Sequence, residues 1–83
     1  MAKSITSRQL KAALALLAWK VEDLAAAAAV SEPTIWRLET ANDTLDAERL
    51  ASVKKIIAAL ERAGIEFQNH GEPGVRLRKR RRK

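Results

Sequence analysis

The sequence predicts an all-α domain of about four short helices that ends in a β-hairpin. Three observations lead there. Apolar residues recur at helical spacing through most of the first 64 positions, and the helical segments open on residues that cap helices. Beyond Gly64 the apolar residues instead alternate with polar ones, which is the period of a strand.

The elements follow in order. Thr6 is suited to cap a helix, with Gln9 three residues on to complete a capping box and Ile5 and Leu10 placed as a hydrophobic staple. That first helix runs to about Ala18 and buries Leu10, Ala13, Leu14 and Leu17, with Trp19 as a lid on the core. A second helix spans about Val21 to Ala28. Its run of alanines, Ala25 to Ala29, reads as a packing surface, since Ala favours helix and permits close helix approach. Ser31 caps a third helix and Pro33 is tolerated in its first turn, where the amides lack intrahelical partners. Residues 40–46, TANDTLD, read as a polar loop from which Asp46 caps a fourth helix, about Ala47 to Ala63. Leu50, Val53, Ile57 and Leu60 form its inward stripe, widened by Ile56, and Gly64 suits the position just past its end. Ile65 and Phe67 then alternate with Glu66 and Gln68, and after NHGEPG, Val75 and Leu77 alternate with Arg76 and Arg78. The expected hairpin joins 65–68 to 75–78. A lone hairpin is marginal in water, so it should pack on the fourth helix, pair with a second chain, or both. The expected organisation is a helical domain over 1–64, the hairpin over 65–78 and a basic tail over 79–83.

Eighty-three residues make one small domain with a modest core. There are no cysteines, hence no disulfides and no thiolate metal site. The one histidine, His70, sits among Asn, Gly, Glu and Pro and reads as a solvated loop residue. No apolar run approaches the roughly 20 residues that cross a bilayer, and MAKSITSRQ lacks the apolar segment of a secretory signal. A soluble, cytoplasmic protein is expected. Catalysis finds little support: there is no glycine-rich phosphate loop, and Glu22-Asp23 sit where carboxylates favour a helix dipole. No catalytic residue, cofactor or metal is expected. The net charge of +6 is unevenly placed. Residues 1–75 carry nine basic and ten acidic side chains, a net of −1, and seven basic residues fall in 76–83. Such a run is attracted to polyanions.

The window Lys20 to Glu39, KVEDLAAAAAVSEPTIWRLE, holds most of the functional signal. Leu24, Ala25, Ala28, Val30, Ile35 and Leu38 give two short helices an inward stripe each, with Val30 plugging the turn between them. Helices this short need a shared core. The start of the second remains outward: Glu32, Pro33, Thr34, Trp36 and Arg37. A helix supported by its neighbour, with a polar N-terminal face free, is the form that enters a DNA major groove. At Leu24, Ala25, Val30, Ser31, Ile35 and Glu39 the chain resembles the phage-repressor/Cro-like (xenobiotic-response-element) helix-turn-helix family, over about Ile5 to Leu60. It is similar to small bacterial and phage regulators in its Gly-Val-Arg-Leu segment too. It departs at Val21, where a phosphate-binding Gln is common, and at Ala29, where the turn usually has Gly. It departs again at Leu14, where the family often has an Arg paired with the equivalent of Glu39.

The resemblance implies a lambda-repressor-like helix-turn-helix bundle acting as a dimeric transcriptional repressor on an inverted-repeat operator in double-stranded DNA. It implies DNA contacts from Ser31, Glu32, Pro33, Thr34 and Arg37 on the third helix, with Arg37 suited to guanine. Lys20 and the amides opening the second helix are expected on phosphate. Trp36 is expected at the edge of the core under the 40–46 loop, with sugar-phosphate or a partner as its other contact. Ile65, Phe67, Val75 and Leu77 are the expected homodimer interface, and Arg78, Lys79, Arg80, Arg81, Arg82 and Lys83 are expected to follow phosphates. Two other readings use the same fold: an antitoxin paired with a toxin, and an antiactivator that binds a protein partner in place of DNA.

Overall fold

The computed structural model describes residues 4–41, 44–46, 50–68 and 74–78. They form four helices, α1 (Ser7–Leu17), α2 (Val21–Ala28), α3 (Glu32–Glu39) and α4 (Ala51–Arg62). Two antiparallel pairs of strands accompany them: β1 (Ser4–Thr6) with β2 (Thr44–Asp46), and β3 (Ile65–Gln68) with β4 (Gly74–Leu77). The fold is mostly α, as expected, with one more sheet than the sequence suggested. Its core is shared by every helix: Leu10 and Leu14 from α1, Leu24 from α2, Ile35 and Leu38 from α3, and Val53, Ile56, Ile57 and Leu60 from α4. Ile5, Leu45 and Ile65 join it from the strands. No helix among the described residues is long and apolar enough to cross a membrane.

The capping box at α1 forms, with Thr6 Oγ1 accepting from the Gln9 amide at 3.1 Å and Gln9 Oε1 accepting from the Thr6 amide at 2.8 Å. Gln9 does more than cap. Its buried Nε2 donates to the carbonyls of Gly74 at 2.9 Å and Gln68 at 3.3 Å, the two residues paired at the mouth of the hairpin. Both ends of a buried amide are thereby satisfied, and the start of α1 is tied to β3 and β4.

α1 and α2 end alike. Ala18 (φ 56°) and Ala29 (φ 58°) are both left-handed. The next amide in each case reaches back to the last turn, Trp19 to the Leu14 carbonyl at 2.9 Å and Val30 to the Ala25 carbonyl at 3.1 Å. This is the helix ending usually reserved for glycine. The turn at Ala29 keeps that conformation despite its Cβ.

Three expectations are corrected here. The segment read as a loop over 40–46 contributes β2, in which Leu45 faces Ile5 and both are buried. One inward apolar residue flanked by polar ones leaves no visible period. Asp46 lies in that strand, ahead of the fourth helix. That helix starts at Ala51 with Leu50 as its N-cap, and the Leu50 amide donates to the Asp46 carbonyl at 3.0 Å. Residues 47–49 of the expected helix lie outside the described residues. Leu50, expected inward, is 44% exposed because an extended cap residue does not share the helix's inner face. Leu17, expected buried, is only partly so.

The hairpin forms in the expected register, Ile65 opposite Leu77 and Phe67 opposite Val75. That puts these four on one face, and Glu66 and Arg76 on the other. β4 lies along α1, and β3 follows α4. Gly64 makes the corner with φ 109°, and a Cβ there would come within 3.3 Å of Leu77 Cδ1. Its carbonyl accepts from the Arg78 amide at 2.8 Å, so the corner is closed as well as turned.

Candidate nucleic-acid interface

α3 is held at both ends and along one side. Ser31, extended at the N-cap, accepts through Oγ from the Thr34 amide at 3.3 Å, and the two hydroxyls lie 2.8 Å apart. At the other end Thr40 Oγ1 donates to the carbonyls of Trp36 at 3.1 Å and Arg37 at 3.2 Å. These bonds satisfy groups that an eight-residue helix otherwise leaves open. Ile35 and Leu38 anchor the inward side in the core. The outward side presents Glu32, Pro33, Trp36 and Arg37, all exposed, with Thr34 half-buried. Ser31 and Thr34 were both expected to face DNA; each is near the surface, but their hydroxyls bond to each other first.

Arg37 makes no ion pair among the described residues, so the pairing with Glu32 that would have occupied it is not formed. Asp43, the other candidate, lies outside the described residues. Lys20 occupies the N-cap of α2, exposed, with its amide donating to Asp23 Oδ2 at 2.8 Å. A lysine side chain accepts nothing, so this cap is one-sided and leaves the ammonium free for another contact. The amides of the first turn lack intrahelical partners by helix geometry. The neighbouring Glu22 and Asp23 carboxylates compete for the same dipole.

Trp36 corrects an expectation. It is 54% exposed and is not among the side chains that pack against the core. Ile35 and Leu38 take the inward positions of α3. Trp36 forms one wall of an open cleft of about 420 Å³, with Leu14, Trp19 and Val21 supplying the rest of its apolar lining. Glu22, Glu32 and Glu39 stand around it, facing two lysines. Two of the residues at which the sequence departs from the resemblance, Val21 and Leu14, line this cleft. Val21, half-buried in this wall, offers no side-chain donor, and Leu14 and Glu39 line the same cleft. Glu39 has no ion pair among the described residues. Sequence spacing gave no sign that the two tryptophans share a cleft, because they lie on separate elements.

The hairpin residues divide. Ile65 is 1% exposed and belongs to the protein's own core, so its side chain offers nothing to a second chain. Phe67 and Val75 pack partly against that core, while Leu77 remains 38% exposed. On the opposite face Glu66 takes Arg76 at 3.4 Å and Arg78 at 3.6 Å. Pairs this exposed contribute little stability, yet they tie up Arg78, one of the residues expected on phosphate. Lys79, Arg80, Arg81, Arg82 and Lys83 lie outside the described residues. Among the described residues no group of His, Asp and Glu is arranged to hold a metal.

Compared with protein-family models and with curated proteins, the chain matches none.

Proposed function

We propose that this chain is a sequence-specific DNA-binding transcription regulator of the helix-turn-helix kind, with α3 as the helix that enters the major groove. The observation that carries this reading is the division of α3 itself. Its inner side is fixed by Ile35 and Leu38, and its outer side leaves Arg37 exposed and unpaired among the described residues. A guanidinium so placed can hold guanine O6 and N7 together. α2 lies behind, with Lys20 and the first-turn amides available to a phosphate, which fixes register without reading sequence. A single copy reads only a few base pairs, so two copies on inverted half-sites about 34–36 Å apart complete the site. Covering a promoter is the simplest way for such a domain to repress.

The test is selection from a pool of random duplexes by the full chain, followed by footprinting of the enriched sequence. An inverted repeat should emerge, bound with an affinity that falls steeply as salt rises. No salt-sensitive binding to any selected duplex would overturn the proposal. One observation favours a second reading, a protein-binding module: the body is near neutral and its exposed apolar group, Trp36, opens on a cleft. The same selection separates the two.

A further inference from the structure

Trp36 is the largest apolar side chain on the outer face of α3, and nothing in the fold needs it to be outside. It stands 54% exposed one turn beyond Glu32, on the same side as Arg37. Residues four apart on a helix are neighbours, with Cβ atoms about 5–6 Å apart. Side chains on a helix lean toward its N-terminus, so the indole leans over the turn that carries Glu32, and both line the same cleft. The face thus offers an apolar plate, a carboxylate acceptor beside it, and a guanidinium on the next position.

In the major groove the one apolar group on a base edge is the C5-methyl of a pyrimidine, and the indole matches nothing else there. Building on the proposed DNA-binding reading, we infer that α3 recognises a C5-methylpyrimidine through Trp36. Two bases carry that methyl, thymine and 5-methylcytosine. Glu32 distinguishes them, because a carboxylate accepts from the cytosine N4 amino group and is repelled by the thymine O4. Where Glu32 and Trp36 meet the same base, methylated cytosine is the better fit; where they meet adjacent bases, thymine serves beside cytosine. Arg37 then takes a neighbouring guanine.

The experiment uses the full chain and the duplex enriched by selection, with affinity measured by fluorescence anisotropy at fixed salt. Each thymine in the footprint is replaced by deoxyuridine, which removes only the methyl, and each cytosine by 5-methylcytosine, which adds only the methyl. Burying one methyl group is worth about a fourfold change in affinity. A loss of that size at one thymine, absent in Trp36→Ala, assigns the methyl to thymine. A gain of that size at one cytosine, absent in Trp36→Ala and reduced in Glu32→Gln, assigns it to 5-methylcytosine. Trp36 is exposed, so the alanine variant should keep its helical circular dichroism. Salt-sensitive binding that is indifferent to every methyl overturns the inference and leaves the DNA reading standing. Failure to bind any duplex overturns both and leaves Trp36 as a surface for a protein partner.

Discussion

A Cβ in the left-handed region crowds the following carbonyl, and this chain accepts that crowding at Ala18 and again at Ala29. The cost is about 1–2 kcal/mol per residue. Ala29 is exposed, so its methyl gains little packing in return. Ala29→Gly should therefore raise stability by about 1 kcal/mol, after the extra freedom glycine gives the unfolded chain is subtracted. Urea unfolding would show a higher midpoint at unchanged slope; a lower midpoint would mean that the methyl packs against something essential to the turn. Arg37 answers to a different measurement. Arg37→Ala should lose roughly 1–3 kcal/mol on a selected site and flatten the preference at one base position. Its affinity for a random duplex at the same salt should barely change. Equal weakening on both would place the guanidinium on phosphate and remove it from base reading.

Elements were legible wherever their signals were local. The box of Thr6 and Gln9, the Ser31 cap, the alternation from Ile65 to Gln68 and the glycine at 64 each declare themselves within a few residues, and each forms as read. What was missed depends on partners far along the chain. β1 meets β2 across most of the helical domain with one apolar pair, Ile5 and Leu45, facing inward. No pattern around Trp36 records its exposure or its place beside Trp19. The tie from Gln9 to Gly74 joins residues 65 apart, and an amide that satisfies a capping box gives no hint of a second task. Gln9→Glu tests that tie directly. The substitution keeps the oxygen that accepts from Thr6 but turns an acceptor toward the Gly74 and Gln68 carbonyls. Losing these two part-buried hydrogen bonds should cost on the order of 1–3 kcal/mol. In native-state hydrogen exchange the amides of β3 and β4 should lose protection before those of α2 and α3. Uniform loss across all elements would show that the hairpin and the helices open as one unit.

For the whole molecule, the unresolved balance is between a near-neutral body and a strongly basic segment that follows it. The hairpin bears on the proposed pairing of two copies. Leu77 is the one residue of the expected interface face with substantial exposure, so Leu77→Asp should yield monomers in sedimentation while helicity is retained. Phe67 is unsuited to that test, because it also packs on the core. An unchanged dimer would move the interface to another surface, with α4 the next candidate. The basic run bears on what the molecule binds. Arg76 and Arg78 share the one carboxylate of Glu66, and of the net charge of +6, residues 1–78 carry one and residues 79–83 carry five. If they sit on phosphates, deleting 79–83 should weaken selected and random duplexes by similar factors, since a cationic run carries no donor pattern fixed against base edges. The slope of log affinity against log salt should become shallower by about 0.9 for each charge that neutralised a phosphate. The ranking of operator variants should survive, because Arg37 and its neighbours on α3 are untouched. A different result, in which only sites with A·T-rich flanks lose affinity, would place the run in a narrow minor groove. Unchanged affinity together with an unchanged slope would mean that residues 1–78, at a net charge of +1, bind DNA without the basic run.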